Sequence, residues 1–584
     1  MVPSVLIANR GEIAVRLIRT YRALGVRTVA AYSDADAGAL HVRLADQAVQ
    51  IGPPAVTGSY LNSAALVAAA SEAGATAVDP GYGLLSENAE FARAVRAAGL
   101  VFIGPPARAI ADMGDKPTAH AIARRAGVPV VPGSGVITSA AEAAAAAGRL
   151  GYPVVVKASF GGGGRGMRVV DDAAGLAAAL AAAGAEAAAA FGRGEVYLER
   201  HIPAARHVEV QLLADAHGTV LTLGDRDCSV QRRYQKLIEE APAPFLPETV
   251  RAGLAQAAAR LAAEVGYTST GTAEFLYAPA SGEFFFLEMN TRLQVEHGVT
   301  ELVTGIDLVE HRLAVALGEP LGLRQEDVRV RGHAIEVRLA AEDPWQQFRP
   351  APGVITGLQL PSGPWLRADL GVAAGDRVPQ EYDSMFGKLM AWGPDRESVR
   401  RRLAAALAEL RVDGLPSTAP YLREVLGQPA FVRGEHTTTT LEQDWQPDPG
   451  KLPPAAGQSA PASGARVVEI RASTGPFRVS IHGQPRAAGA VAAAGRGAAR
   501  PARPGGPGAA VAGGAPAAPM DGVVVKVEVT AGEAVERHAV LVVLEAMKMQ
   551  IPVTAPAAGT VAEVLVVPGA SVTAGQPLVQ LVSP

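Results

Sequence analysis

Apolar and polar positions alternate in a regular rhythm over the first hundred residues. A short apolar run at Ser4 to Ala8 precedes a helical period from Glu12 to Leu24. A second run at Thr28 to Tyr32 follows, then a second helical stretch from Leu61 to Ala73. Strands alternating with helices predict an open, largely parallel sheet. Turn clusters at Gly52-Pro53-Pro54, Asp79-Pro80-Gly81 and Gly104-Pro105-Pro106 punctuate it. The first ten residues lack a basic n-region and their apolar run breaks at Asn9, so they read as a first strand rather than a signal peptide. From about 114 to 330 the pattern is mixed, with a Gly-rich loop, Ala-rich helices and hairpins. An α+β block then runs to about 445. Pro, Gly and Ala dominate from 446 to 516, the composition of a tether. Within it, Arg466 to Arg486 alternates like a strand pair. The domains expected are therefore 1–113, 114–330, 331–445, a linker over 446–516 and a C-terminal domain over 517–584.

That last segment repeats itself. Pro519-Met520-Asp521-Gly522-Val523-Val524 recurs as Pro556-Ala557-Ala558-Gly559-Thr560-Val561, and Gly532-Glu533-Ala534-Val535 as Gly569-Ala570-Ser571-Val572, both at an offset of 37. Two similar β-units predict a pseudo-symmetric all-β sandwich whose joint is Ala546 to Thr554. Lys548, in Ala546-Met547-Lys548-Met549, sits at that joint, where a tight turn presents its amine for modification.

Composition narrows the class. With 49% hydrophobic and 19% charged residues, the chain has material for several cores. Its 53 basic against 57 acidic residues lack the excess that a nucleic-acid binder shows. One cysteine forms no internal disulfide, which points to a reducing compartment, by default the cytoplasm. Ala173 to Phe191 is Ala-rich but carries Glu186 and follows two aspartates, so it reads as a soluble helix and no membrane span is expected.

Two segments carry candidate chemistry. Phe160 to Met167 is a tetraglycine loop behind the strand Pro153 to Lys157, suited to close backbone approach to phosphate. Lys157 and Lys116 supply point charges nearby. The stronger segment runs from Thr272 to His297. Thr272 to Ala278 and Phe284 to Asn290 flank Pro279 to Glu283 as a hairpin, and pairing symmetric about Ser281 sets Glu274 opposite Glu288. Alternation then places Glu288, Asn290, Arg292 and Gln294 on one face. Opposed carboxylates repel unless a cation lies between them, and the oxygen ligands Glu274, Glu288 and Asn290 suit Mg²⁺ or Mn²⁺. The competing reading is an exposed hairpin whose carboxylates Arg292 neutralises; the flanking Phe275, Phe284 and Phe286, available for packing, weigh against it. Asp225 to Lys236 is a second dense polar segment, in which Cys228 reads as a packed small residue rather than a nucleophile.

These residues closely resemble the biotin carboxylases of the ATP-grasp class fused to a biotin carboxyl carrier domain, as in alpha subunits of acetyl/propionyl-type acyl-CoA carboxylases. The resemblance covers roughly 1–445 and 517–583. It rests on Ile7 to Ala14, Asp79 to Gly83, the tetraglycine loop, Glu288 to His297, Gly332 to Arg338, Tyr382 to Met385 and Glu545 to Met549. It implies an N-terminal parallel-sheet domain, an ATP-grasp domain, an α+β C-terminal domain, a flexible tether and a biotinyl sandwich. It further implies that Lys116, Lys157, Gly163 and Gly164 contact ATP phosphates, and that Glu199 to Ile202 and His207, with Gln231 and Tyr234, belong to the nucleotide pocket. Glu274, Glu288 and Asn290 are then magnesium ligands. Lys236, Arg292, Gln294 and Val295 bind bicarbonate, Glu296 is its general base, Arg338 stabilises the biotin enolate, and Lys548 carries biotin. Bicarbonate attacking the γ-phosphate gives carboxyphosphate, the carboxyl donor.

The chain departs from the family pattern at Tyr234, which stands for a nucleotide-contacting His; Tyr hydrogen-bonds but carries no positive charge. Phe160 stands for a Gly, Gly298 for a Pro, and Pro416-Ser417-Thr418 for Arg/Lys-Thr-Asn. Partners implied by the resemblance are a separate carboxyltransferase beta subunit, a biotin protein ligase and a homodimeric carboxylase core. Residues 488–516 would span about 30 Å as a coil and up to about 95 Å extended, so the carrier is expected to travel. Two alternatives stand beside this: a ligase with a lipoyl-like arm, although lipoyl turns usually read Asp-Lys-Ala, and a carrier scaffold whose nucleotide site has decayed.

Overall fold

A computed structural model describes residues 4–159, 167–191, 194–447, 466–472, 475–481, 516–519, 522–546, 549–573 and 575–582. The chain forms two compact units, Met1–Lys451 and Leu452–Pro584.

The first unit opens with the expected parallel sheet. Its strands Gln47–Gly52, Arg27–Ser33, Ser4–Ile7, Ala77–Asp79 and Val101–Phe102 lie side by side in that order, all parallel. The first strand is buried along its length, with Val5, Leu6 and Ile7 fully shielded, because helices cover both faces of such a sheet. Crossover helices such as Gly11–Ala23 and Ser63–Glu72 join the strands.

The centre of the unit is one eight-stranded antiparallel sheet. In spatial order its strands are Glu283–Asn290, Ser269–Ala278, Arg206–Ala214, Val220–Arg232, Gln235–Ala241, His333–Ala340, Met385–Gly393 and Leu366–Leu370. Gln235–Ala241 pairs with His333–Ala340, so the sheet runs unbroken across residue 330. On one face, Val208, Val210, Ala273, Phe275 and Phe286 pack against the helix Glu248–Val265 through Leu254, Ala257, Ala258 and Leu261. Strand alternation sends the polar residues of the same strands to the other face.

A smaller antiparallel sheet orders Gly133–Ile137, Val196–Arg200, Val154–Ala158 and Arg168–Val170. Helices Ala140–Leu150 and Ala173–Phe191 pack on it through Ala143, Ala146, Leu176 and Ala183. The Ala-rich stretch is thus a helix of this layer, and among the described residues no helix is long and apolar enough to cross a membrane.

In the second unit Arg466–Ala472 and Gly475–Ile481 pair as an antiparallel hairpin, the β-island read from the sequence. The C-terminal repeat folds as two sheets whose pairings are copies of one another. Gly522 and Val523 pair with Val572 and Ser571, while their equivalents Gly559 and Thr560 pair with Val535 and Ala534. Val523, Val524, Lys526 and Val527 pair with Glu545, Leu544, Val543 and Val542; Thr560, Val561, Glu563 and Val564 pair with Val582, Leu581, Gln580 and Val579. Every partner is shifted by the 37-residue offset, the register irregularity included. Strands Val540–Ala546 and Met549–Thr554 pair with each other and bracket Lys548, which lies outside the described residues.

Candidate active site

The site is built on the polar face of the eight-stranded sheet. Across four adjacent strands, Arg226 opposes Glu209, Glu209 opposes Glu274, and Glu274 opposes Glu288. Directly opposed residues share a face and approach closely, so three carboxylates form one row. The Glu274–Glu288 pairing is as expected, but its cause differs. The hairpin closes with Ala278 opposite Glu283 and Leu276 opposite Phe285, one residue off symmetry about Ser281; an irregularity beside Leu287 then restores the register at Glu274.

The charges in the row are satisfied unevenly. Arg226, fully buried, donates to Glu209 Oε1 at 2.6 Å and to Gln211, Thr272 and Thr300. The Lys236 ammonium lies 2.7 Å from Glu209, 2.8 Å from Glu274 and 2.8 Å from Glu296. Burial works against each charge in this cluster, but the mutual attraction wins. Lys236 is held well above the usual lysine range, and Glu209 and Glu274 well below the usual carboxylate range. His207 Nε2 sits 3.2 Å from Glu274, which with Glu209 raises the imidazole to about 9 despite its burial. His207 therefore lies among the carboxylates. Ligating atoms of His207, Glu209 and Glu274 are within 4.8 Å of one another, yet Lys236 already neutralises that corner.

Glu288 is the exception. No described residue donates it a hydrogen bond, and burial followed by Glu274 pushes its carboxyl up. Lys116, which opens the helix Lys116–Arg125 behind the capping Asp115, attracts it. Half-buried and flanked by a like charge, Glu288 is the member of the row that a cation would satisfy. Asn290 is engaged on both sides: its amide donates to Glu274 at 2.8 Å and accepts from Arg292 at 2.7 Å.

The regular strand ends at Asn290, but Arg292 and Gln294 still converge on the row. Gln294 donates to Glu274 at 3.0 Å, and Arg292 donates to Gln294 at 3.0 Å. Arg292 does not neutralise the opposed pair through a salt bridge; its Nε donates to Glu87, from the N-terminal sheet domain, at 2.8 Å. Glu87 also accepts from the Thr291 amide at 3.1 Å.

Glu296 is fully buried at the start of the helix His297–Thr304. Lys236 holds one oxygen and Arg338 the other, at 3.0 Å, and these cations keep its carboxyl below the usual range against the pull of burial. The buried Lys388 donates to the Val295 carbonyl one residue earlier. Gly298 has a steric reason: a Cβ there would lie 2.3 Å from Met390 Sδ. Thr418, in the divergent Pro416-Ser417-Thr418, donates to the Arg338 carbonyl at 2.8 Å and accepts from the Ala340 amide at 3.0 Å.

On the small sheet, Lys157 pairs with the buried Glu199, and Ile202 follows in the adjoining loop; Gly163 and Gly164 lie outside the described residues, as does Phe160. Gln231 donates to the Cys228 carbonyl at 3.3 Å, and Cys228 is buried, the packed role expected of it. Arg233 and Tyr234 form the two-residue turn into Gln235–Ala241 with φ of 48° and 65°, leaving Tyr234 55% exposed.

Glu209, Glu239 and Glu87 are the site residues that sequence reasoning missed, and Arg226 lies in the dense polar segment without having been given a role. Each meets its partner only through non-local packing; Glu209 is a lone Glu in a strand that otherwise reads as core, Glu239 stands beside Glu240, and Glu87 sits in a turn.

A sheet that buries cations among carboxylates, in a chain that also carries a separate repeat domain, is the arrangement of a multidomain enzyme, and the comparisons supply the domains. Residues 1–110 match the biotin carboxylase N-terminal domain, 115–324 the ATP binding domain of the carbamoyl-phosphate synthase L chain, and 336–443 the biotin carboxylase C-terminal domain. Residues 516–581 match the domain of biotin-requiring enzymes. The biotin carboxylase of Nostoc is 49% identical over 440 residues, 75% of this chain and 98% of that protein. The propionyl-CoA carboxylase alpha chain of Ruegeria pomeroyi is 44% identical over 508 residues, covering 82% of this chain and 74% of that one. A structure of the biotin carboxylase domain dimer of Hydrogenobacter thermophilus 2-oxoglutarate carboxylase, with MgADP and bicarbonate, aligns with a TM-score of 0.72 at 43% identity, covering 75% of this chain and 97% of that one.

The chain belongs to the biotin carboxylase family and carries a biotin carrier domain in the same polypeptide. Its cofactors are those its domains use: biotin, ATP and Mg²⁺.

Proposed function

We propose that this protein carboxylates biotin carried on Lys548, using ATP and bicarbonate, and that a separate carboxyltransferase subunit passes the carboxyl to an acyl-CoA of the acetyl or propionyl type. The observation that carries the reading is Lys236, bound at once by Glu209, Glu274 and Glu296. It joins the carboxylate row to the buried base in one charge network.

Glu274 and Glu288 fit a magnesium ion, because Glu288 lacks a donor among the described residues and faces a like charge. Held by these carboxylates, with Asn290 beside them, Mg²⁺ would supply positive charge against that developing on the nucleotide phosphates. Lys116, Lys157 and the tetraglycine loop with Gly163 and Gly164 face the phosphates. Glu199, Ile202, Gln231 and Tyr234 border the base, and His207 braces Glu274. Arg292, Gln294 and the Val295 backbone orient bicarbonate next to Glu296. Glu296 is held ionised by Lys236 and Arg338, so it is ready to take the bicarbonate proton as the oxygen attacks the γ-phosphate. Arg338, between Glu296 and the biotin side, meets the negative charge of the acceptor. A homodimeric core and recognition of the Lys548 turn by a biotin protein ligase belong to the same reading. The R. pomeroyi relative supports the acyl-CoA assignment.

Two measurements test this. Intact mass and peptide mapping should place a biotin-sized addition on Lys548, whereas a lipoyl-sized one reverses the cofactor. The biotinylated protein should cleave ATP only with bicarbonate present, and a carboxyltransferase partner should then carboxylate acetyl- or propionyl-CoA. Biotinylated, folded protein without bicarbonate-dependent cleavage would instead be a carrier scaffold.

A further inference from the structure

Another opposed carboxyl pair lies three strands from Glu274 in the same sheet. Glu239, on Gln235–Ala241, faces Glu336, on His333–Ala340, and both are fully buried. Arg338 spans the gap between this pair and the base: it donates to Glu239 at 2.6 Å and to Glu296 at 3.0 Å. Among the described residues, the other Glu239 oxygen and both Glu336 oxygens have no hydrogen-bond partner. The backbone that carries Arg338 is pinned by Thr418. The guanidinium is therefore shared between two carboxylates, and what Glu239 takes from it Glu296 does not.

We propose that Glu239 is a positioning residue for Arg338, drawing the guanidinium away from two-pronged capture by Glu296 and so keeping Glu296 a usable base. This rests on the roles given to Glu296 and Arg338 above. A planar guanidinium bonds a carboxylate bidentately when nothing competes for it. Without Glu239, both forks would close on Glu296, which would lose basicity and leave Arg338 turned from the biotin side.

The two carboxyls differ in their access to Arg338, which bonds Glu239 and not Glu336. Burial pushes Glu336 well above the carboxylate range and Glu239 up to about 7, against the pull of Arg338. The groups that bear on the pair are Lys236 on Glu239's own strand, Arg338 on Glu336's strand, Lys388 on the strand beyond, and Glu296 from the segment before the helix His297–Thr304. Of these, Lys236 and Lys388 sit above the usual lysine range and Glu296 below the usual carboxylate range, so Glu239 alone titrates near neutrality. Above about 7 it is ionised and grips Arg338; below, the grip weakens.

The test uses the full-length protein with free biotin as acceptor, reading carboxylated biotin formed per ATP cleaved across the pH range. In the wild type this ratio should fall as pH drops through about 7. Glu239→Gln should lower the ratio about tenfold to a hundredfold, the scale of a misplaced catalytic group, and remove the acidic limb. Glu239→Asp, which keeps the charge but shortens its reach, should retain the limb at a reduced ratio. A Glu239→Gln ratio and profile equal to the wild type overturn the proposal. If that variant does not fold, a Glu239→Asp profile without the limb overturns it and one with the limb supports it. Wild-type protein that cleaves no ATP in response to bicarbonate at any pH would sink the functional reading itself, and the positioning role with it.

Discussion

In the carboxylase unit the sheet interior contains Glu209, Arg226, Glu239, Glu336 and Lys388, with Glu296 packed on it from the start of the helix His297–Thr304, all shielded from water beside the aliphatic core. In the carrier unit every buried side chain among the described residues is uncharged and apolar: Ala, Val and Leu, with Pro516 and the backbone of Gly559. The apolar core is also doubled: Ala518, Val524, Val529, Val535, Leu541 and Val542 recur as Ala555, Val561, Val566, Val572, Leu578 and Val579. A buried charge costs several kcal/mol unless it is paired, so Glu209, Arg226, Glu296 and Lys388 stay charged because each has a partner, while Glu336, whose oxygens have no hydrogen-bond partner among the described residues, is pushed toward its neutral form. Among its described residues the carrier buries no charged group, and packed aliphatics make up its core. Chemistry here coincides with buried charge, and presentation with its absence.

The sharpest way to break that contrast is Lys236→Met. It leaves Glu209, Glu274 and Glu296 without their common cation, and uncompensated buried charges cost about 3–5 kcal/mol. Bicarbonate-dependent ATP cleavage should vanish and the first unit's melting temperature should fall, while biotinylation at Lys548 proceeds. A normal melting temperature would mean that the carboxylates lose charge or find other partners at little cost.

Acid should separate the units next. Glu240 accepts from His333 at 2.8 Å and from Arg396 at 2.7 Å, and these lower it to about 2 although burial pulls the other way. A carboxylate depressed in the fold stabilises it above the unfolded value near 4.5, and that stability is lost as pH falls toward 2. The loss amounts to about 3 kcal/mol from this group. Thermal unfolding followed from pH 7 downward should show the first unit weakening through that window and the carrier changing less. Glu240→Gln should flatten the first unit's dependence while lowering its stability at neutral pH.

How much of this was legible in the sequence follows the same divide. The carrier's architecture could be read from its 37-residue repeat, because neighbours in its sheets are related by an offset visible by eye. The opposition of Glu274 and Glu288 was legible too, being local to one hairpin; the irregularity at Leu287 was not, since nothing in the residue type marks it. What escaped were pairings between distant segments. Glu209 reaches Glu274 only through the order of strands in the sheet, Glu239 meets Glu336 only across the junction at residue 330, and Glu87 reaches Arg292 from another domain. Alternation tells which face a side chain takes but not which strand lies next to it. Gly298 likewise reads as a lost proline until Met390 is seen filling the space beside it.

The smallest effect tests the carrier's symmetry. Val524 and Val561 are repeat mates, each 1% exposed and each in the equivalent strand of its own sheet. If the two halves are energetically as well as geometrically equivalent, Val524→Ala and Val561→Ala should each cost about 1–3 kcal/mol, since each removes two buried methyl groups and leaves a similar void. The costs should agree within about 0.5 kcal/mol. Hydrogen exchange of the carrier amides reads the loss directly, and carboxylation of free biotin should be unchanged in both variants, because a free acceptor bypasses the carrier. Unequal losses would show that the Lys548 joint, present once in a twofold fold, makes one half depend on the other. A fall in free-biotin activity would show that the apolar unit contributes to the chemistry after all.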